Sequence, residues 1–469
     1  MKETCLKRLL SFALVIAMVV SLCPTMVFAG DTLPYRGESA LGENEPTSHG
    51  YRAEDLLSWD PATDPYADLL RARVPLQNRI EAVAATQANP ELNPEIQYLT
   101  LAGDYGNAFF GGTSYTNEFS EYCFNFWQYI DYYAPWHGQT TATTPIELWD
   151  ADGERKGTSN WEMRAFEFGM MNLPNAAYTN AAHKNGVLSL GCIFLPRAYQ
   201  SWRTLIQRDE EGNFPYADKL VEIAEYYGFD GWFVNLEGSD TPTGEAKTEL
   251  AAMLKYMRDK GQYIQYYNAG GSIDTQMMDA GAADSFFKDY GWSTSGAISE
   301  VEKYGIGAVH GGFEAGGNRW TNNFSKMWSN DQVVCSIATL GTDFVHAGLD
   351  EDFGNYLDLR RETDEFQWMS AVRERMWFTG SSGNPTDSST STNSEVGVSR
   401  NSMPGIASMI TERSVVSGDT FYTNFNTGHG LVYAEDGVIS NEHEWANVNI
   451  QDILPTWQFW FETAGTELQ

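Results

Sequence analysis

Asn235 and Glu237 stand two residues apart in the run Gly228-Phe229-Asp230-Gly231-Trp232-Phe233-Val234-Asn235-Leu236-Glu237-Gly238. The run reads as a short apolar strand that ends by projecting an amide and a carboxyl group. Side chains alternate across a strand, so the two polar groups face the same way. A carboxyl group can protonate a leaving oxygen and later act as a base toward water. An amide is a poor base and no nucleophile, but it both donates and accepts hydrogen bonds, which suits another amide such as a sugar's 2-acetamido group. The pair therefore points to glycoside cleavage in which the acetamido oxygen attacks the anomeric carbon. Glu237 would protonate the departing sugar, its pKa raised by a partly apolar surround. Asn235 would hold the acetamido group. An isolated Asn-x-Glu is also common on strands that do no chemistry, and Asp230 fits a brace at the strand entry better than a reactive group.

Such groups need a scaffold that places them at strand ends. Eight short apolar runs recur along the chain: 96–102, 126–133, 188–195, 231–235, 262–267, 285–289, 306–310 and 333–338. Amphipathic stretches lie between them. Leu220, Ile223, Ala224 and Tyr227 fall at helical spacing before Gly228, and Leu250, Met253, Leu254 and Met257 repeat the pattern before Gly261. Strands alternating with helices predict a (β/α)8 TIM-type barrel, whose chemistry sits at the carboxyl ends of the strands. Several later runs also end in polar or aromatic residues: Tyr267-Asn268, Tyr290-Gly291-Trp292 and Gly312-Phe313-Glu314.

Residues 1–29 read as a signal peptide: Lys2, Lys7 and Arg8, an apolar stretch from Leu9 to Leu22, then the small-residue cleavage pattern Val27-Phe28-Ala29. A secreted or extracellular protein is the expectation. Residues 30–50 lack periodicity and read as a flexible leader. A single catalytic domain is expected over 51–469, with a Ser/Thr/Asn-rich loop insertion around 381–394. No later segment is apolar enough to span a bilayer. The formal net charge of -33 repels nucleic acid and anionic membranes and favours neutral ligands. The 15 Trp and 24 Tyr suit both a core and flat sugar-stacking pockets. Beyond the leader, Cys123, Cys192 and Cys335 form an odd set in apolar sequence and read as buried thiols. The His residues show no paired spacing and no calcium-loop pattern occurs, so neither metal nor cofactor is expected.

Several independent segments resemble glycoside hydrolase family 85. They are Trp59-Asp60-Pro61, Phe126-Trp127-Gln128-Tyr129-Ile130-Asp131, Ala181-Ala182-His183-Lys184-Asn185-Gly186-Val187, Asn235-Leu236-Glu237, the run from Thr423 to Gly430, and the run from Gln451 to Trp457. The resemblance implies an endo-β-N-acetylglucosaminidase that cuts the β-1,4 bond between the two core N-acetylglucosamines of N-linked glycans. It implies Glu237 as acid/base, Asn235 as the partner of the acetamido nucleophile, and Tyr267 as a further holder of that group. Trp292, Phe313 and Glu314 match residues after later strands that line sugar subsites, and Asn268, Trp127 and Trp136 are further candidates. For Trp127 a core position is an equal expectation. Two departures stand out. Members often carry Trp-Tyr-Asp where this chain has Tyr266-Tyr267-Asn268, and members usually continue into β-sandwich domains, whereas the sequence ends at Gln469.

Two other readings fit the same residues. A chitinase-like hydrolase of N-acetylglucosamine polymers shares the Phe-Asp-Gly entry but carries Asp two before the final Glu, where this chain has Asn235. A catalytically silent N-glycan-binding protein would have no need of an intact Asn235, Glu237 and Tyr267.

Overall fold

The computed structural model describes residues 36–38, 46–51, 56–64, 67–68, 71–84, 87, 89–102, 124–135, 171–195, 201–237, 241–315, 324–341, 363–380, 405–417, 422–442, 445–446 and 448–453. The expected signal at 1–29, the loop at 381–394, Cys123 and Trp136 lie outside them.

Eight parallel strands close on themselves: β1 Tyr98–Ala102, β2 Tyr132–Pro135, β3 Leu188–Leu195, β4 Gly231–Leu236, β5 Tyr263–Tyr267, β6 Ser285–Lys288, β7 Val309–Glu314 and β8 Ser336–Leu340. Each pairs with the next, and Ile337 to Leu340 of β8 pair with Tyr98 to Leu101 of β1. This is the (β/α)8 barrel that the eight apolar runs predicted. Every residue of β4 is buried, as a parallel strand must be when side chains fill one face and helices cover the other. The interior is packed by Leu99, Leu101, Tyr132, Ala134, Leu190, Cys192, Phe233, Tyr267, Phe287 and Ala338. A filled interior leaves the strand ends as the place for a ligand.

Helices lie between and after the strands, two of them on the predicted apolar spacing. α1 spans Ala176–Lys184, α2 Pro215–Tyr227, α3 Gly244–Asp259, α4 Thr275–Asp279, α5 Thr294–Tyr304 and α6 Thr363–Thr379. α2 starts with Pro215, whose fixed φ suits the first turn, and stops at Gly228 in the left-handed conformation. Leu220, Ile223, Ala224 and Tyr227 are its buried face. Three residues later the chain enters β4 at Gly231, where a methyl group would collide with the backbone of Tyr263.

An acidic device at the opposite rim sets the register. Asp131, Asp230 and Asp284 each stand one residue before an even-numbered strand. Each carboxylate accepts a backbone N–H from the preceding odd strand or its entrance: Tyr98 at 2.8 Å, Ser189 at 2.7 Å and Ile264 at 2.8 Å. Asp131 also meets Arg79 and Arg413, each at 3.3 Å. Asp230 takes a second bond from His183 Nε2 at 2.9 Å, and the other ring nitrogen donates to the Val74 carbonyl at 2.7 Å. Asp230 is thus a brace at the strand entry.

Three boundaries differ from expectation. The run 126–133 opens with a helical turn at Trp127–Tyr129, and the strand begins only at Tyr132. The run 306–310 likewise begins with a turn at Ile306–Ala308. Short apolar runs suit either conformation, and packing decides: Phe126 lies flat on Phe378 at 4.7 Å. Within the expected leader, Arg36–Glu38 and Pro46–Tyr51 are strands. They extend the sheet through Met171–Asn172, which pairs antiparallel with β3, a tertiary partner that composition does not display. Among the described residues no helix is long and apolar enough to cross a membrane. Cys192 and Cys335 are buried free thiols, and burial pushes the Cys335 thiol up to about 12.

Candidate active site

Asn235 sits directly opposite Tyr267 in the β4–β5 pairing and opposite Phe194 in β3–β4. Phe233, two residues before it, belongs to the interior cluster with Tyr267, so alternation turns Asn235 inward as well. The Asn235 side chain is fully buried. Neither its Nδ2 nor its Oδ1 has a hydrogen-bond partner among the described residues. Leaving such groups unpaired costs about 1–3 kcal/mol each, so the fold gains nothing from this amide. An amide held bare at the carboxyl end of a barrel strand is set up to pair with a donor and an acceptor from outside.

Glu237 follows on the same parity, one residue past the end of β4, and is partly exposed. It reaches the same neighbourhood. The Tyr267 phenol is held far above its ordinary pKa, first by burial and then by the charge of Glu237, with Tyr290 and Asp289 adding to it. Tyr267 stays a neutral hydroxyl. Its ring is 7% exposed, 6.2 Å from Phe233 and 5.2 Å from Phe287 between centroids. Its hydroxyl donates to Asp289 Oδ1 at 3.1 Å. Asn235, Glu237 and Tyr267, predicted together, are brought together.

The other candidates are distributed differently. Asn268 donates from Nδ2 to Asp274 at 3.1 Å and accepts the Gly270 N–H at 3.1 Å. Both ends are spent closing the turn after β5. Trp292 is buried, donates to the Gly312 carbonyl at 3.0 Å, and meets Phe313 edge-on at 5.9 Å. A methyl on Gly311 would strike Trp292, whereas one on Gly312 would strike Phe287 of the interior. Gly311 and Phe313 thus face away from the interior, and Trp292 packs on that outer side. The Lys326 ammonium lies 4.4 Å from the Trp292 ring and 4.7 Å from Phe313, and burial brings its pKa down to about 8. Glu314 shares the inward parity of Gly312 at the end of β7 and is partly exposed. Trp127 is core: its Nε1–H donates to Gln451 at 2.7 Å, and Phe124 meets it edge-on at 4.8 Å. Trp136 lies outside the described residues.

Sequence reasoning passed over Asp289. It closes the run 285–289 on the inward parity of Phe287, a signal present but overshadowed by the aromatics that follow. It also gave no hint of Gln265 and His310, both fully buried, whose side-chain polar atoms have no partner among the described residues. Burial takes His310 down to about 3, so the ring is neutral. Among the described residues no group of three or more His, Cys, Asp or Glu is arranged to hold a metal ion.

A closed parallel (β/α)8 barrel carries an amide, a carboxyl and a phenol at its carboxyl rim, where barrels of this kind hold their ligands. The profile of glycosyl hydrolase family 85 matches residues 109–433, and the chain belongs to that family. It is 25% identical over 320 residues to a cytosolic endo-beta-N-acetylglucosaminidase of Danio rerio, covering 62% of this chain and 38% of that protein. It is 25% identical over 258 residues to the Mus musculus protein of the same name, covering 51% and 29%. The chain thus spans well under half the length of these relatives. Its fold resembles the glycoside hydrolase domain of Endo-D from Streptococcus pneumoniae R6, with a TM-score of 0.64 at 23% identity, covering 89% of this chain and 62% of that one.

These relatives correct one expectation. Residues 1–29 led to a secreted or extracellular protein, but the matched curated relatives are named as cytosolic enzymes, and the expectation of export is withdrawn.

Proposed function

We propose that this chain is an endo-β-N-acetylglucosaminidase that hydrolyses the β-1,4 bond between the two core N-acetylglucosamines of N-linked glycans. The observation that carries the reading is the buried amide of Asn235, without a partner among the described residues, beside Tyr267 and two residues before Glu237. The names of the matched relatives support the same activity. In this reading the acetamido group of the sugar on the non-reducing side of the bond pairs with Asn235. Its oxygen attacks the anomeric carbon, forming a cyclic oxazoline-type intermediate while Glu237 gives its proton to the leaving oxygen. Glu237, now a carboxylate, takes a proton from water, which opens the ring with net retention. Glu314, partly exposed at the end of β7, is proposed to meet the glycan beyond the cleaved bond.

The test is incubation with a high-mannose glycoprotein, followed by intact mass. Loss of the glycan with one N-acetylglucosamine left on the protein supports the reading. An unchanged mass, or release of short oligomers from chitin alone, rejects it.

A further inference from the structure

We infer that the barrel interior below the catalytic rim is a solvent site, in which ordered water is hydrogen-bonded to the Gln265 amide and the His310 imidazole. Both side chains point into the barrel. Gln265 alternates with Tyr263 and Tyr267 on the inward face of β5, and its register partner is Phe233 of the interior cluster. His310 shares the inward face of Gly312 on β7, is the register partner of Phe287, and meets the Tyr132 ring edge-on at 6.1 Å. Both residues are 0% exposed. Nε2 and Oε1 of Gln265 and Nδ1 and Nε2 of His310 all have no partner among the described residues.

The polar groups bordering this layer are committed elsewhere. The Tyr132 hydroxyl donates to Gln97 Oε1 at 3.0 Å, and the Tyr263 and Ser285 hydroxyls bond to each other at 2.6 Å. The Ser336 hydroxyl accepts the Gln97 N–H and donates to the Ile306 carbonyl, each at 2.9 Å. Buried polar groups in folded proteins are nearly always hydrogen-bonded. Where the chain supplies no partner, enclosed water that can reach two to four polar atoms does so. The chemistry selects water over an ion. Burial takes His310 down to about 3, so its ring is neutral and offers one donor and one acceptor. The Gln265 amide likewise donates and accepts without charge. Neither a cation nor an anion would find a counter-charge on these two groups, and an ion without one is costly to bury.

The site is closed toward the rim. Gln265 and His310 stand one inward position before Tyr267 and Gly312, about 7 Å deeper along their strands. Phe233 lies 6.2 Å from Tyr267 and 6.1 Å from Phe287, and Tyr267 lies 5.2 Å from Phe287, between ring centroids. Phe287 also fills the space that a side chain at Gly312 would take. Water held below these rings leaves only when the interior opens. It is long-lived and separate from the water consumed at the rim, and it completes the hydrogen bonding of the layer on which those rings rest.

The experiment pairs a crystal structure of the wild-type protein, at a resolution that shows ordered solvent, with magnetic relaxation dispersion of water in solution. Density within hydrogen-bond reach of the Gln265 amide and the His310 ring is expected. A long-lived water component should accompany it, and its amplitude should fall in the double variant Gln265→Leu with His310→Phe. Gln265→Met, close in size and without a hydrogen-bonding amide, carries the comparison if the double variant does not fold. A Gln265 amide bonded directly to the His310 ring with no density beside them overturns the inference, and so does a long-lived component that the substitutions leave undiminished. Neither measurement involves glycan cleavage, so the inference and the proposed activity stand or fall separately.

Discussion

Asn235 and Tyr267 face each other across the β4–β5 pairing, one an amide whose polar atoms have no partner among the described residues, the other a phenol already bonded to Asp289. The first is open to any donor and acceptor, whereas the second is committed. The two side chains therefore differ in what they have left to offer a ligand, and that difference bears on what each substitution should do.

Replacing Glu237 by Gln removes the transferable proton while keeping the shape. Hydrolysis should fall by about a thousandfold, within the range of general acid–base catalysis. Circular dichroism and the melting temperature should match wild type, because Glu237 lies past the end of β4 and is partly exposed. Retention of a tenth of the wild-type rate would rule Glu237 out as the acid.

Asn235→Ala should separate function from stability. The rate should drop by about a hundredfold as the acetamido group loses its orienting partner. The melting temperature should hold or rise, since the substitution deletes a buried amide that has no partner among the described residues. A variant that keeps most of its rate would defeat the substrate-assisted route, and one that unfolds would mean the amide has a structural partner.

Trp127→Phe provides the opposite pattern. It strands the Gln451 acceptor in the core, at a cost of about 1–3 kcal/mol. Denaturant unfolding should register that loss, while kcat and KM stay at wild-type values. A selective rise in KM would return Trp127 to the list of sugar-contacting residues.

Stability should fall as pH rises through neutrality. Burial raises Glu374 from its ordinary value to about 7 and Glu412 to about 8. Both are held proton-bound more tightly in the folded state than in the unfolded chain. Their contribution is full below about pH 4.5 and is lost as pH climbs through the folded values. His183 has the same sign: its raised pKa, despite opposing burial, follows from the bonds to Asp230 and Val74. Glu374→Gln should flatten the decline of melting temperature between roughly pH 5 and 8, and an unaltered slope would exclude that residue as its source.

How much of this was legible in the chain varies by segment for identifiable reasons. The helices α2 and α3 were readable because their apolar spacing and terminal glycines are local signals. Asn235 and Glu237 stood out as polar residues ending an otherwise apolar strand, a pattern that strands without chemistry also show, and the family resemblance singled out all three of Asn235, Glu237 and Tyr267. Trp292 and Phe313 look the same in sequence as sugar-stacking aromatics. Their packing on the outer side of β7 depends on Gly311 leaving room for the indole. The segments that carried the resemblance turn out largely to brace the barrel. Gln451 accepts from Trp127 and donates to the Phe124 and Thr427 carbonyls, and His183 holds Asp230.

Residue order alone determined the alternation of strand and helix, the acidic surface and the strand that ends in Asn-x-Glu, because each is written in periodicity, charge or side-chain type over a few neighbours. Only the folded chain decided which strands lie side by side, so that Tyr267 stands level with Asn235 and Asp289 comes within reach of its hydroxyl. Those pairings join residues 22 or more positions apart, and closing a barrel sets them through register, which no local stretch of sequence encodes.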